Sequence, residues 1–292
     1  MTVQQLIQAL ANGLLLGCIY AGFALGLSLI MGVLRIVNVA HSAILIAASL
    51  VYWQLVNGAG LDPLLSIVPV LLVFYLGGLG IHRGIAQHLA REQDSTVLLA
   101  FFGLMVVVES LAVLVWTTDT RNVRLGYLDT VLRFWTLNIP LARVVAAALT
   151  LMLLLSLHAF LSRTLVGSAV RGMAENRDVA DMVGINVRGL SRHVFAAGIA
   201  LAAYGGTVLA LVAPFSPQEH VRWLAWSFLV VVIGGLGSVV HTLFAGLAVG
   251  VIESLVGVVL PFQYTHLVLY VVLAAALLVR RQGLGGLSAR TI

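Results

Sequence analysis

No lysine occurs anywhere in this chain: all sixteen basic side chains are arginine. That excludes a P-loop, whose lysine must reach the β- and γ-phosphates of a nucleotide, so any ATP that drives this protein is hydrolysed by another chain. Cysteine is nearly as scarce. Cys18 stands alone in an apolar run, which rules out an intrachain disulfide, a thiolate metal site or a redox pair. Charge of either sign is short as well, at 9% of residues, where an ordinary soluble domain has about a quarter. Hydrophobic residues make up 61% and mean hydropathy is +1.08. These values exclude a soluble domain and predict an all-α polytopic membrane protein, with residues 1–292 forming one transmembrane domain. A sequence pI near 9.9 does not indicate nucleic acid, because the arginines fall between apolar runs and not along one soluble face. The opening MTVQQLIQAL lacks the basic region of a cleaved leader, so the first span is expected to stay.

Apolar runs of about 20 residues predict spans near 5–30, 38–57, 64–81, 96–116, 140–160, 193–213, 224–240, 243–260 and 264–279. The positive-inside tendency places 82–94, 163–193 and the tail with Arg280, Arg281 and Arg290 in the cytoplasm. The loop 117–139 is expected outside: Asp119 and Asp129 offset two of its arginines Arg121, Arg124 and Arg133, and Tyr127, Phe134 and Trp135 suit an interface. Eight or nine crossings follow, the count depending on two interruptions. One is MGVLRIVNVAHS, from Met31 to Ser42; the other is IGGLGSV, residues 233–239, with Gly234, Gly235 and Gly237. Unwound backbone at membrane depth must line a cavity or be covered by protein. The two breaks share a faint echo, Asn38 to Ser42 against Ser238 to Thr242, which arises either by chance or from two related halves whose broken helices meet, as in many transporters.

The segment from Arg163 to His193 carries five arginines and three acids and reads as a cytoplasmic docking element. It is expected to hold one short amphipathic helix. Val170, Met173, Ala174, Val179, Met182 and Val183 lean to one side, and Gly184 is placed to stop it.

These residues resemble the LivH-type permease subunits of branched-chain amino acid ABC importers, over nearly the whole chain. GLSLIMGVLRIVNVAHS looks like that family's first break, GMAENRDVADMVGINV like its cytoplasmic coupling helix, and VVVIGGLGSV like its glycine-rich second break; the tail LLVRRQGLGG is a weaker match. The order and spacing of the coupling helix and GGLGS make the match specific. Five residues in three segments depart from the family pattern. Ser42 and Ala43 stand where Gly-Glu is usual, Val240 and His241 where Pro-Gly is usual, and Arg281 where proline is usual.

The resemblance implies a bacterial inner-membrane subunit that binds no cofactor, metal or nucleic acid itself. Its implied partners are a second permease, related or identical, two ABC ATPases that bind the ATP, a periplasmic substrate-binding protein and the lipid bilayer. Met173, Ala174, Met182 and the Gly184 stop would seat the ATPase contact, with Arg171, Glu175, Asn176, Arg177, Asp178 and Asp181 as its polar rim; the alternative is a solvated connecting loop. Asn38, His41, Ser42, Gly234, Gly235, Gly237 and Ser238 would line the translocation path, or would instead satisfy freed backbone and pack helices closely. The rival reading is a proton-coupled secondary transporter, in which Glu109 and Glu253 pair with His158, His241 or His266 as a relay. An intramembrane enzyme finds less support. The chain has neither a G-x-S-x-G elbow nor H-E-x-x-H spacing, and no catalytic residue is expected.

Overall fold

The computed structural model describes residues 2–89, 92–124, 126–134 and 137–279. Arg280, Arg281, Arg290 and Trp135, which entered the orientation argument, lie outside the described residues. The helices of six or more residues are α1 (Val3–Leu34), α2 (His41–Trp53), α3 (Ile67–Ile81), α4 (Asp94–Trp116), α5 (Leu141–Arg163), α6 (Leu165–Glu175), α7 (Arg177–Met182), α8 (Val187–Val212), α9 (His220–Gly234), α10 (Val239–Val259) and α11 (Phe262–Val279). A π-helical turn, Gln54–Gly58, prolongs α2, and another, His82–Ala86, carries α3 on to Leu89. The chain is a multi-pass, all-α membrane protein. Among the described residues, six segments have the length and hydropathy to cross a bilayer: Val3–Leu34, Ile67–Leu89, Asp94–Trp116, Leu141–Arg163, Val187–Val212 and Val239–Val259. The runs expected at 38–57 and 224–240 are shorter as helices, 13 and 15 residues, because a break cuts each at one end.

α1 is the axis of the fold, with α10, α8, α9 and α5 packed around it. The α1–α10 contact rests on spacing visible in the sequence, Gly13-x₃-Gly17 against Gly246-x₃-Gly250. A Cβ added at Gly17 would sit 2.5 Å from the Cα of Leu247, and one at Gly250 would sit 2.3 Å from the nitrogen of Gly17. Small residues let two backbones approach this closely, and in a membrane that packing replaces the hydrophobic drive that water supplies elsewhere. α8 packs on α1, α2 and α3 in the same core. α3, α4 and α5 stand at the rim and keep apolar faces outward, including Val68, Leu99, Leu114 and Met152.

The two ends of the bundle differ. At one end Arg35, just past α1, reaches α6. At the other, the start of α1 meets a two-stranded antiparallel hairpin, Val131–Phe134 with Leu137–Pro140. Gln8 and Asn138 exchange two hydrogen bonds there, of 3.0 and 2.9 Å. The sequence reading treated 117–139 as plain loop. Its ordering comes from long-range ties, since the Arg121 and Phe215 backbones exchange bonds of 2.8 and 3.0 Å and the Tyr127 hydroxyl donates to Asp62 at 3.1 Å. Asp62 also accepts from the amides of Leu65 and Leu64, and these donors, Leu65 first, hold its carboxyl below the usual range.

Candidate translocation and coupling site

Both breaks exist, and both are narrower than the sequence suggested. α1 runs on through Met31 to Leu34 and stops at Arg35, which takes a left-handed conformation (φ +57°, ψ +29°) and donates its N–H to the Met31 carbonyl. An arginine rarely adopts that shape, which costs about 1–2 kcal/mol. The first break is therefore residues 35–40. The second is 235–238, inside the run expected to continue to 240. Gly235 sits at φ +84°, ψ +157°, open essentially only to glycine, and Gly237 has φ +77°. Ser238 then caps α10 by accepting from the His241 amide at 3.3 Å.

The last turns of α1 bring the two breaks together. A Cβ on Gly32 would stand 2.2 Å from the Cα of Gly237, and the Ser28 hydroxyl accepts both from the Gly237 amide (3.3 Å) and from the Thr242 hydroxyl (3.2 Å). On the first-break side, His41 Nε2 donates to the Phe23 carbonyl at 2.8 Å. That places its proton on Nε2 and leaves Nδ1 a bare acceptor. Asn38, His41 and Ser42 are fully buried within the chain, and Asn38 Oδ1 and Nδ2, His41 Nδ1 and Ser42 Oγ have no partner. A buried polar atom without a partner costs about 1–3 kcal/mol. Five residues thus hold a concentrated demand for donors and acceptors. Gly234 is partly buried against the His241 carbonyl, and Gly237 is exposed.

The island between α5 and α8 forms two helices, where one was expected. Asn176 interrupts with extended backbone (φ −149°, ψ +112°), and its Oδ1 accepts from the amides of Asp178 and Val179 to start α7. Gly184 does stop α7, at φ +87°. Its N–H donates to the Asp181 carbonyl and that of Ile185 to Ala180, the paired bonds of a Schellman end. Breaking the helix splits the apolar side that the sequence suggested. Val170 and Met173 pack inward, where the Ser191 hydroxyl donates to Met173 sulfur, while Val179, Met182 and Val183 face out. Arg171, Glu175, Asn176, Arg177 and Asp178 are exposed around them, Ala174 is half-buried, and Arg177 also donates to Ser191 at 3.1 Å. Arg35 was missed. Its guanidinium donates to the Ala174 carbonyl at 3.4 Å, tying the first break to α6, and only its place at the end of a long apolar run could have flagged it.

Among the described side chains, neither Glu109 nor Glu253 forms an ion pair with His158 or His241; the side chain of His266 lies outside the described residues. Glu109 lies 3.7 Å from His220, not His158. Glu253 and His241 share α10, twelve residues apart, about 18 Å at 1.5 Å per residue.

A family model described as branched-chain amino acid transport system / permease component matches residues 9–277. The chain belongs to this family. Among similar permeases are the high-affinity branched-chain amino acid transport system permease proteins LivH of Salmonella typhimurium, 25% identical over 96% of this chain and 95% of the relative, and BraD of Pseudomonas aeruginosa, 26% identical over the same shares. A probable branched-chain amino acid permease LivH of Methanocaldococcus jannaschii is 24% identical over 90% of this chain and 87% of its own length. No solved structure gives a significant match to this permease. The match from residue 9 to 277 takes in both breaks and the α6–α7 island.

Proposed function

We propose that this permease is the membrane subunit of an ATP-driven importer of branched-chain or similar amino acids in a bacterial inner membrane. It works beside a second permease, receives cargo from a periplasmic binding protein, and is closed and opened by two ABC ATPases on the α6–α7 face. The observation that carries this reading is the junction at the end of α1. Within twelve residues α1 meets His41, where α2 resumes after the first break, through the Phe23 carbonyl, the second break through Gly32, and α6 through Arg35 just beyond its last turn. A push on α6 therefore reaches both breaks through one rigid element, which is the geometry alternating access needs. The unpartnered atoms of Asn38, His41 and Ser42 support a path at the first break, because opening it would let water or the charged ends of an amino acid satisfy them. On this reading the α6–α7 end and the tail are cytoplasmic, and the hairpin is periplasmic.

Reconstitution of the complex in liposomes tests the energy source: uptake should require the ATPases and ATP and survive collapse of the proton gradient. Uptake by this subunit alone, abolished by a protonophore and indifferent to ATP, would sink the proposal. Arg35 supplies a finer test. Arg35→Ala should keep ATP hydrolysis and lower the amino acid imported per ATP several-fold. Arg35→Gly should uncouple equally while unfolding at a higher temperature than the alanine variant, since glycine relieves about 1 kcal/mol of left-handed strain. Unchanged stoichiometry in both would remove Arg35 from the linkage.

A further inference from the structure

Near the hairpin end, α1, α5, α9 and α10 gather polar and ionisable side chains that neither break uses. The Tyr20 phenol and the Glu253 carboxylate lie close enough to act on one another, and Glu253 Oε2 is buried without a hydrogen-bond partner. Arg143 and Arg222 both lie close enough to act on that carboxylate. Arg143 spends one contact on Asn12, Nη1 to Oδ1 at 3.2 Å. Arg222 stands 5.1 Å over the Trp223 ring and 4.0 Å from Glu219, and its Nε and the Trp223 indole N–H are buried and unpartnered. The Tyr20 ring stacks on Trp226 at 5.3 Å and 12°.

Arg143 and Arg222 are each the third residue of their helix, and Glu253 lies six residues from the end of α10. All three are thus within about 10 Å of the hairpin ends of their helices, at 1.5 Å per residue. Arg143 also lines a pocket of about 260 Å³ there, with Asn122, Asp129 and Pro214.

We infer that this cluster is an entry-side subsite for a free α-amino acid: Glu253 receives the ammonium, Arg143 and Arg222 the carboxylate, and the Tyr20–Trp226 stack with Trp223 the apolar side chain. A zwitterion carries opposite charges a few ångströms apart and needs one acid beside basic groups, all partly withdrawn from water so that charge-assisted bonds are strong. The open acceptor on Glu253 and the open donor on Arg222 suit such a guest. A closed structural ion pair would leave neither unengaged. The inference rests on the amino-acid import reading and adds a place where cargo pauses.

Binding to the assembled complex in nanodiscs, without binding protein, tests it with three probes: L-leucine, leucinol, which lacks the carboxylate, and isocaproate, which lacks the ammonium. The wild type should prefer leucine to each analogue by about tenfold or more. Glu253→Gln should erase the preference over isocaproate and keep that over leucinol; Arg143→Gln or Arg222→Gln should do the reverse. A wild type without either preference, or variants that retain both, would overturn the subsite. If the single variants fail to assemble and Glu253→Arg combined with Arg143→Glu restores assembly, the cluster is a structural ion pair and the inference fails. If that combination does not restore assembly, the same ratios are read in Glu253→Asp and Arg143→Lys, where unchanged preferences overturn it. Leucine uptake by the wild type with all partners is measured in parallel. Normal uptake with no analogue preference refutes only the subsite, whereas absent uptake refutes the import reading.

Discussion

A permease carrying Met182→Asp is expected to fold, insert and unfold thermally as the wild type does, yet to lose copurification with the ABC ATPases proposed to dock on α7. Met182 is 85% exposed at the end of α7, with Val183 and Val179 exposed beside it and charged side chains around them. An apolar tip inside a charged ring is what a dry contact with a partner requires. Burying an unpaired carboxylate in that contact costs about 3–5 kcal/mol, so the affinity should fall by a hundredfold or more at about 1.4 kcal/mol per tenfold. Met173→Asp separates docking from folding. Met173 is 2% exposed and packed inside this chain, so that variant should lower the unfolding temperature of the permease itself. Equal recovery of ATPase with wild type and Met182→Asp would end the docking assignment.

Gly32→Ala should abolish uptake and lower stability by about 1–3 kcal/mol, the usual cost of overpacking. The added methyl would sit 2.2 Å from the Cα and 2.3 Å from the nitrogen of Gly237. Both atoms are backbone, so no side chain can move aside, and α1 must withdraw from the second break. Gly77→Ala is the matched control. Gly77 is also in a helix but has nothing within 4 Å of an added Cβ, so the change should be neutral or stabilise by up to about 1 kcal/mol through helix propensity. Thermal unfolding and uptake of both variants decide it; normal transport with Gly32→Ala would show that the two breaks work without touching.

The helical class, the polar island between α5 and α8 and the existence of two breaks were legible because composition, charge placement and glycine clustering are local signals. Break boundaries were not. Gly32 looks like a breaker in the sequence but serves as a contact face inside α1, while Arg35, an unlikely left-handed residue, ends the helix. The single amphipathic helix failed at Asn176, whose side chain caps a new helix more effectively than it continues the old one. The Gly13/Gly17 and Gly246/Gly250 spacings were present in the sequence and passed unread, though they fix the central helix pair. Glu253 was singled out, but three of its neighbours were not foreseen. Its neighbours Tyr20, Arg143 and Arg222 come from three other helices, and no spacing along one chain reveals a cluster assembled that way.

α1 has 32 residues, about 48 Å of helix at 1.5 Å per residue, while the hydrocarbon layer is about 30 Å thick. Tilt alone does not absorb the difference, since membrane helices seldom lean beyond about 40°. Val3, Leu6, Ile7 and Leu10 near its start are exposed and would lie among lipid headgroups, an apolar ramp whose depth follows the thickness of the leaflet. Because the same rod carries Gly32 and ends at Arg35, a thicker or thinner bilayer is expected to shift the balance between the breaks. Uptake measured in vesicles of increasing acyl-chain length should therefore change at constant cargo and nucleotide concentration.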